Sequence, residues 1–264
     1  MKPNIIIFAS LLTACVAAAD PTEVQIGDGQ ISGLSLAPYD LVWSQCGAIE
    51  GVWSASPDLS ERAVMIGDTM LRLTQSSDSE QGRSTSTAYL DRASLSPLRF
   101  ERRMQPPEGA PARSIEHSLS GEGYRAVMRQ GDMMREKEGP IGSNLYDGAS
   151  LGLALSRLSF DTDIYSFQSS MIGMQATYST IVTLAGRETV QHGDHTLDVL
   201  LVDVEWHHNE LGDVYLPGPN ESGGRYSIVQ NPPAGVPYVL RYQTDTYVVE
   251  FKPDICPALI GSAD

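Results

Sequence analysis

The chain has 264 residues, with 33 Asp plus Glu against 18 Lys plus Arg, a formal charge of −15 and 41% hydrophobic residues. Such an acidic balance excludes an electrostatic nucleic-acid binder, whose affinity for phosphates comes from clustered Lys and Arg. Twenty-four Gly and 16 Pro along the chain exclude long-helix architectures such as bundles and coiled coils.

Residues 1–19 read as an export signal: Lys2 is the positive start, Ile5 to Leu12 the apolar core, and Ala17-Ala18-Ala19 the small-residue cleavage site before Asp20. The apolar run is too short to span a bilayer. A second reading is open, because Leu12-Thr13-Ala14-Cys15 matches a bacterial lipobox, which would make residues 1–14 the signal and Cys15 a lipidated anchor. Both readings put the mature chain outside the cytoplasm, in the periplasm, with contact to a membrane only through that anchor. Either fate of Cys15 leaves Cys46 and Cys256, and an even pair in an oxidising compartment predicts a disulfide. Closing a loop of roughly 210 residues would stabilise the fold by about 5 kcal/mol in the chain-entropy model.

From Asp20 onward the dominant period is two. The segments 63–66, 70–74, 124–129 and 247–251 alternate as half-buried strands do. Turn signals separate such runs at Gly67-Asp68, Gly121-Glu122-Gly123, Gly131-Asp132, His192-Gly193-Asp194 and Leu211-Gly212-Asp213, and the short links predict antiparallel hairpins. Val199-Leu200-Leu201-Val202 is a continuous apolar run, expected to be buried on both faces at the centre of the sheet. One stretch breaks the pattern. Asp147 as N-cap followed by Leu151, Leu153, Leu155 and Leu158 predicts a helix of about three turns ending at Phe160, with leucines on more than one stripe. Such a helix belongs in the concave side of a curved sheet. A second short helix is expected in Ala37 to Ser44, and loops in Gln105 to Pro111, Leu216 to Pro219 and Asn231 to Pro237. No repeat or linker divides residues 20–264, which read as one domain.

Four segments together resemble a known family. The run TAYLDRASLSPLRFERR (Thr87 to Arg103) resembles the strand, Leu-x-Pro turn and strand of a family of uncharacterised bacterial periplasmic proteins. YDGASLGLALSRLSF is similar to its Asp-started helix, VTLAGRETVQHGDHTLDVLLVDVEW (Val182 to Trp206) to its strands around a Gly-x-Glu step, and PYVLRYQTDTYVVEF to its closing hairpin. These proteins are similar in architecture to the LolA-like lipoprotein carriers, a strongly curved antiparallel sheet forming an incomplete barrel with helices in its mouth. The resemblance implies a mainly β (α+β) half-barrel that binds an apolar or lipid-like ligand, or a partner protein of the envelope. It assigns no ligand residue and no cofactor.

Other patterns carry less. Gly148-Ala149-Ser150-Leu151-Gly152 matches the Gly-x-Ser-x-Gly nucleophile elbow, with Asp198 or Asp203 and His207 or His208 following in hydrolase order. A real elbow needs a buried parallel strand before the Ser and parallel βα repeats after it, and the sequence offers neither, so Ser150 reads as a helix start. His192, His195, His207 and His208 would suit zinc, but a strand over Thr196 to Val204 holds the two pairs on the order of 30 Å apart. Asp161-Thr162-Asp163 lacks the spaced oxygens of a calcium loop and reads as a turn. Trp43, Trp53 and Trp206 with 11 Tyr suit a groove or ordinary strands alike. Met128, Met133, Met134, Met171 and Met174 cluster mid-chain, and methionine adapts to irregular apolar pockets. The expected pocket is lined by Leu151, Leu155, Met171 and Met174. The sequence thus predicts a non-catalytic periplasmic binding or assembly protein without cofactor or metal. The competing readings are an envelope scaffold with a filled core and, third, an esterase-type hydrolase using Ser150.

Overall fold

The computed structural model describes residues 20–49, 52–80, 82–107, 111–120, 123–139, 145–147, 150–171, 176–208, 221–244 and 247–251. In chain order its elements are β1 (Thr22–Glu23), β2 (Tyr39–Ile49), β3 (Val52–Ile66), β4 (Met70–Ser79), β5 (Gly82–Asp91), β6 (Pro97–Gln105), β7 (Arg113–Ser120), β8 (Gly123–Gln130) and β9 (Met133–Gly139). There follow β10 (Leu145–Asp147), α1 (Leu151–Ser156), β11 (Ile164–Met171), β12 (Ala176–His192), β13 (His195–His208), β14 (Glu221–Ile228), β15 (Val239–Gln243) and β16 (Tyr247–Phe251). The protein is mainly β, with little helix.

Two antiparallel meanders share one open sheet. Strands β2 to β9 pair each with the next, as do β11 to β16, and β16 pairs antiparallel with β2 to join them. The short β1 and β10 lie in tandem along the outer side of β11, both parallel to it. The alternation expected from sequence becomes alternation of burial: in β4, Leu71 and Leu73 are buried while Met70 and Arg72 are half-exposed. The β12–β13 hairpin closes at His192↔His195, with Gly193 at φ 57°, the positive φ that a two-residue hairpin turn requires at its first loop position.

Both faces of the run 199–202 pack against apolar clusters, with Val199, Leu200 and Val202 buried and Leu201 half-buried. Val199 packs in a cluster with Leu197, Val229, Val236 and Leu240, and Leu200 and Val202 pack in the main core. Its strand, β13, is interior but is not the middle of the sheet. That place in the fifteen-strand path belongs to β2, because the N-terminal meander continues the sheet far beyond β16.

Two helix expectations need correction. Ala37 to Ser44 is not helical: Tyr39 onward forms β2, whose Leu41 and Trp43 are buried on one face. The alternation of Tyr39, Leu41 and Trp43 satisfies a strand, and pairing with β3 and β16 overrides local helix propensity. The helix expected over Asp147 to Phe160 is only Leu151–Ser156, with Ser150 at the N-cap and Arg157 at the C-cap. Asp147 instead ends β10, opposite Ser170. Beyond the helix, Leu158 forms a bridge with Ile31, and the Ser159 amide donates to the Gln30 carbonyl. Arg157 donates to the carbonyls of Ser32 (3.1 Å) and Gln230 (2.9 Å), and Phe160 turns the chain at φ 51°. These long-range bonds hold the backbone in pairing with residues 30–32 where further helical turns would have run.

The main core gathers α1 with strands from both meanders: Leu151, Leu155 and Leu158 lie with Leu71, Leu90 and Phe100, and with Val182, Val202 and Ile228. Gly152 is the close-approach point, since a Cβ there would stand 3.1 Å from both Tyr226 and Val239 side chains. No helix of the described residues is long and apolar enough to cross a membrane.

Candidate functional site

A cavity of about 310 Å³ opens where β2, β3 and β4 meet β14, β15, β16 and the start of α1. Strand periodicity builds its wall, since residues two apart share a face. Thus β3 contributes Leu59 and Glu61, β4 Leu73 and Gln75, β16 Tyr247 and Val249, and β2 Tyr39 and Trp43. Register makes neighbours of several of them: Glu61 is opposite Gln75, and Tyr226 is opposite Tyr242 with ring centroids 4.5 Å apart. Ser150, Gly152 and Leu153 of the helix region and Pro237-Tyr238 of the β14–β15 loop complete it.

Six aromatic rings line the cavity, those of Tyr39, Trp43, Tyr226, Tyr238, Tyr242 and Tyr247. Glu61 is the one lining residue with a formal charge among those described. Tyr39 donates its hydroxyl to one carboxylate oxygen (2.7 Å) and Gln75 donates its amide to the other (2.6 Å). Both donors are neutral, and no Lys, Arg or His of the described residues forms an ion pair with Glu61. Burial therefore raises the Glu61 pKa above its ordinary value, against the lowering pull of the two hydrogen bonds. Burial also pushes Tyr39 and Tyr226 well above the usual phenol range and raises Tyr242 and Tyr247, so these hydroxyls stay protonated at neutral pH. Tyr247 spends its proton on the Gln45 side-chain oxygen, and the Gln45 amide donates to the Pro57 carbonyl at 2.6 Å. The result is a pocket with apolar and aromatic walls and one acidic point.

Of the pocket residues expected from sequence, Leu151 and Leu155 are fully buried in the main core. The cavity meets the other face of the helix, through Ser150 and Leu153. Met171 ends β11, and Met174 lies outside the described residues. Met133 and Met134 are exposed on β9, near the opposite end of the sheet path from β11, which carries Met171. Trp43 does line the cavity, whereas Trp53 packs beside Cys46 and Val248, and Trp206 sits in the main core. Cys46 is fully buried, while Cys15 and Cys256 lie outside the described residues.

The hydrolase and zinc candidates are dispersed. Ser150 is buried at the cavity wall, but Asp203 holds Arg225 in a two-point pair (2.6 and 2.8 Å) and Asp198 accepts from Thr189. His207 lies one residue before the end of β13, 3.7 Å from Glu205 and far along the strand from the hairpin turn that carries His192 and His195. His192 stacks on Phe251, with ring centroids 5.4 Å apart. Asp161 and Asp163 are exposed in the turn before β11. Among the described residues no three His, Cys, Asp or Glu side chains group as a metal ion requires.

Sequence reasoning missed Glu61 and its tyrosines. The signal was there in the alternation: Leu59, Glu61, Ala63 and Met65 occupy one face of β3, so an acid stands in an apolar series. Gln75 does the same after Leu71 and Leu73 in β4. No family model, curated protein or solved structure matches the chain, so the site's chemistry stands on its own geometry.

Proposed function

We propose that the protein is a non-catalytic binding protein of the bacterial envelope whose sheet encloses an apolar or lipid-like ligand. The observation that carries this reading is the aromatic-walled cavity of about 310 Å³, a size and lining suited to a small organic ligand. The curved half-barrel belongs to the same proposal. Six strand spacings separate β4 from β13 along the sheet, about 29 Å if it were flat, yet Leu71 and Val202 belong to one core around α1. That shared core supports a sheet curled about the helix, in keeping with the resemblance to LolA-like carriers. Export to the periplasm, by cleavage after Ala19 or lipidation of Cys15, rests on the N-terminal sequence, and the Cys46–Cys256 disulfide on the even cysteine count.

The second reading, an envelope scaffold, draws on Leu151, Leu155 and Leu158, whose complete burial fills the interior on their side of the helix. Mass spectrometry of the lipophilic extract from protein purified out of the periplasm separates the two. A recurrent apolar species near equimolar amount is expected. An empty protein that also fails to take up an apolar dye would favour the scaffold.

A further inference from the structure

We propose that the ligand of this cavity is cationic, an organic ammonium whose head sits among the tyrosine rings against Glu61 and whose apolar part lies along Leu73, Leu153 and Val239. The inference rests on the cavity-binding reading above and adds the charge of the ligand.

Four observations converge. First, the wall is aromatic on several sides, and ring faces attract a cation through their quadrupoles, most strongly once water is excluded. Second, Glu61 is the single formal charge among the described lining residues, and its two hydrogen-bond donors are both neutral. Each carboxylate oxygen has accepted one of these bonds and keeps a further lone pair for a ligand. Third, a buried carboxylate without a counter-charge is costly, and its raised pKa registers that cost; a bound cation would supply what the wall does not. Among the described residues, Arg157 stands over one of these rings, 5.9 Å from the Tyr238 ring centroid, and its guanidinium is committed to Ser32, Gln230 and Ser35 outside the cavity lining. Fourth, the chain's charge of −15 draws cations toward the molecule and repels anions. An anionic ligand such as a fatty acid would place its carboxylate beside Glu61, and a neutral one would leave Glu61 as it stands.

The test uses three probes with the same eight-carbon chain, octyltrimethylammonium, 1-octanol and octanoate, titrated calorimetrically below their aggregation concentrations at neutral pH. Octyltrimethylammonium is expected to bind roughly tenfold or more tighter than 1-octanol, with octanoate weakest. In Glu61→Gln the advantage over 1-octanol should collapse to a few-fold, while 1-octanol itself binds as before. Glu205→Gln, which removes one exposed negative charge on β13, should leave the wild-type order intact and so separates the local carboxylate from the overall field. Equal binding of all three probes, or tighter binding of octanoate, overturns the cationic assignment and leaves the cavity reading standing. Binding of none of them overturns both. The order of probes on the wild-type protein decides the matter even if Glu61→Gln does not fold.

Discussion

Two leucines in one short helix provide a controlled comparison of filled and open interior. Leu155 and Leu153 are both buried in the main core and both lie within the six residues of α1, but only Leu153 also lines the cavity. Changing each to Ala has the same effect on helix propensity, so the difference between them reports the surroundings. Removing three carbons costs about 0.8 kcal/mol each, about 2.4 kcal/mol in transfer free energy. For Leu155 the packed core relaxes only partly, and a void of roughly 60 Å³ at about 24 cal/mol per Å³ adds about 1.4 kcal/mol, for a total near 4 kcal/mol. For Leu153 the space vacated joins a cavity that already exists, so the second contribution falls away and about 2 kcal/mol remains. Urea unfolding, with m-values checked for constancy, measures both. Equal costs, or a larger cost for Leu153→Ala, would refute the placement of the cavity on the Ser150–Leu153 side of the helix.

Three further outcomes are expected, two from the structure and one from the cysteine count. Because burial raises the Glu61 pKa above that of the unfolded chain, its ionisation opposes folding. Stability from this group is fully present below the unfolded value near 4.5 and is lost as pH rises through the folded value. Glu61→Gln removes this dependence, so its stability relative to wild type should improve between pH 4 and pH 7 in paired denaturation curves; no change with pH would contradict a desolvated carboxylate held only by neutral donors among the described residues. The proposed Cys46–Cys256 disulfide predicts an intact mass two hydrogens below that of the dithiol and no alkylation of either Cys in denaturant without reductant, and two labelled thiols would end it. Arg225→Ala breaks an exposed two-point pair with Asp203 and should cost less than about 1 kcal/mol by urea unfolding, since solvent screens such pairs.

Much of the sheet was legible because hydrophobic alternation is local. The strands around 63–66, 70–74, 124–129 and 247–251 follow directly from their period of two, and Gly193 marks its own turn. The helix boundaries were not legible, because the bridge from Leu158 to Ile31 and the anchoring of Arg157 bind residues more than a hundred positions apart. Nor could periodicity show that β16 pairs with β2, the contact that joins the two meanders and brings Tyr247 and Val249 into the same wall as Tyr39 and Trp43. The site was half legible. Glu61 and Gln75 stand out as polar residues on apolar faces, but only the β3–β4 register sets them opposite each other. The leucines read as pocket-lining, Leu151 and Leu155, pack wholly in the core, while the cavity touches the helix region at Ser150, Gly152 and Leu153, the last of them a core residue as well.

Binding in the cavity is read out by intermolecular NOEs between octyltrimethylammonium and methyl-labelled protein. Contacts are expected from the ligand to Leu73, Leu153 and Val239, which line the cavity on three different elements. Contacts confined to the exposed Leu34, Val42 and Val52, with none inside the cavity, would contradict it.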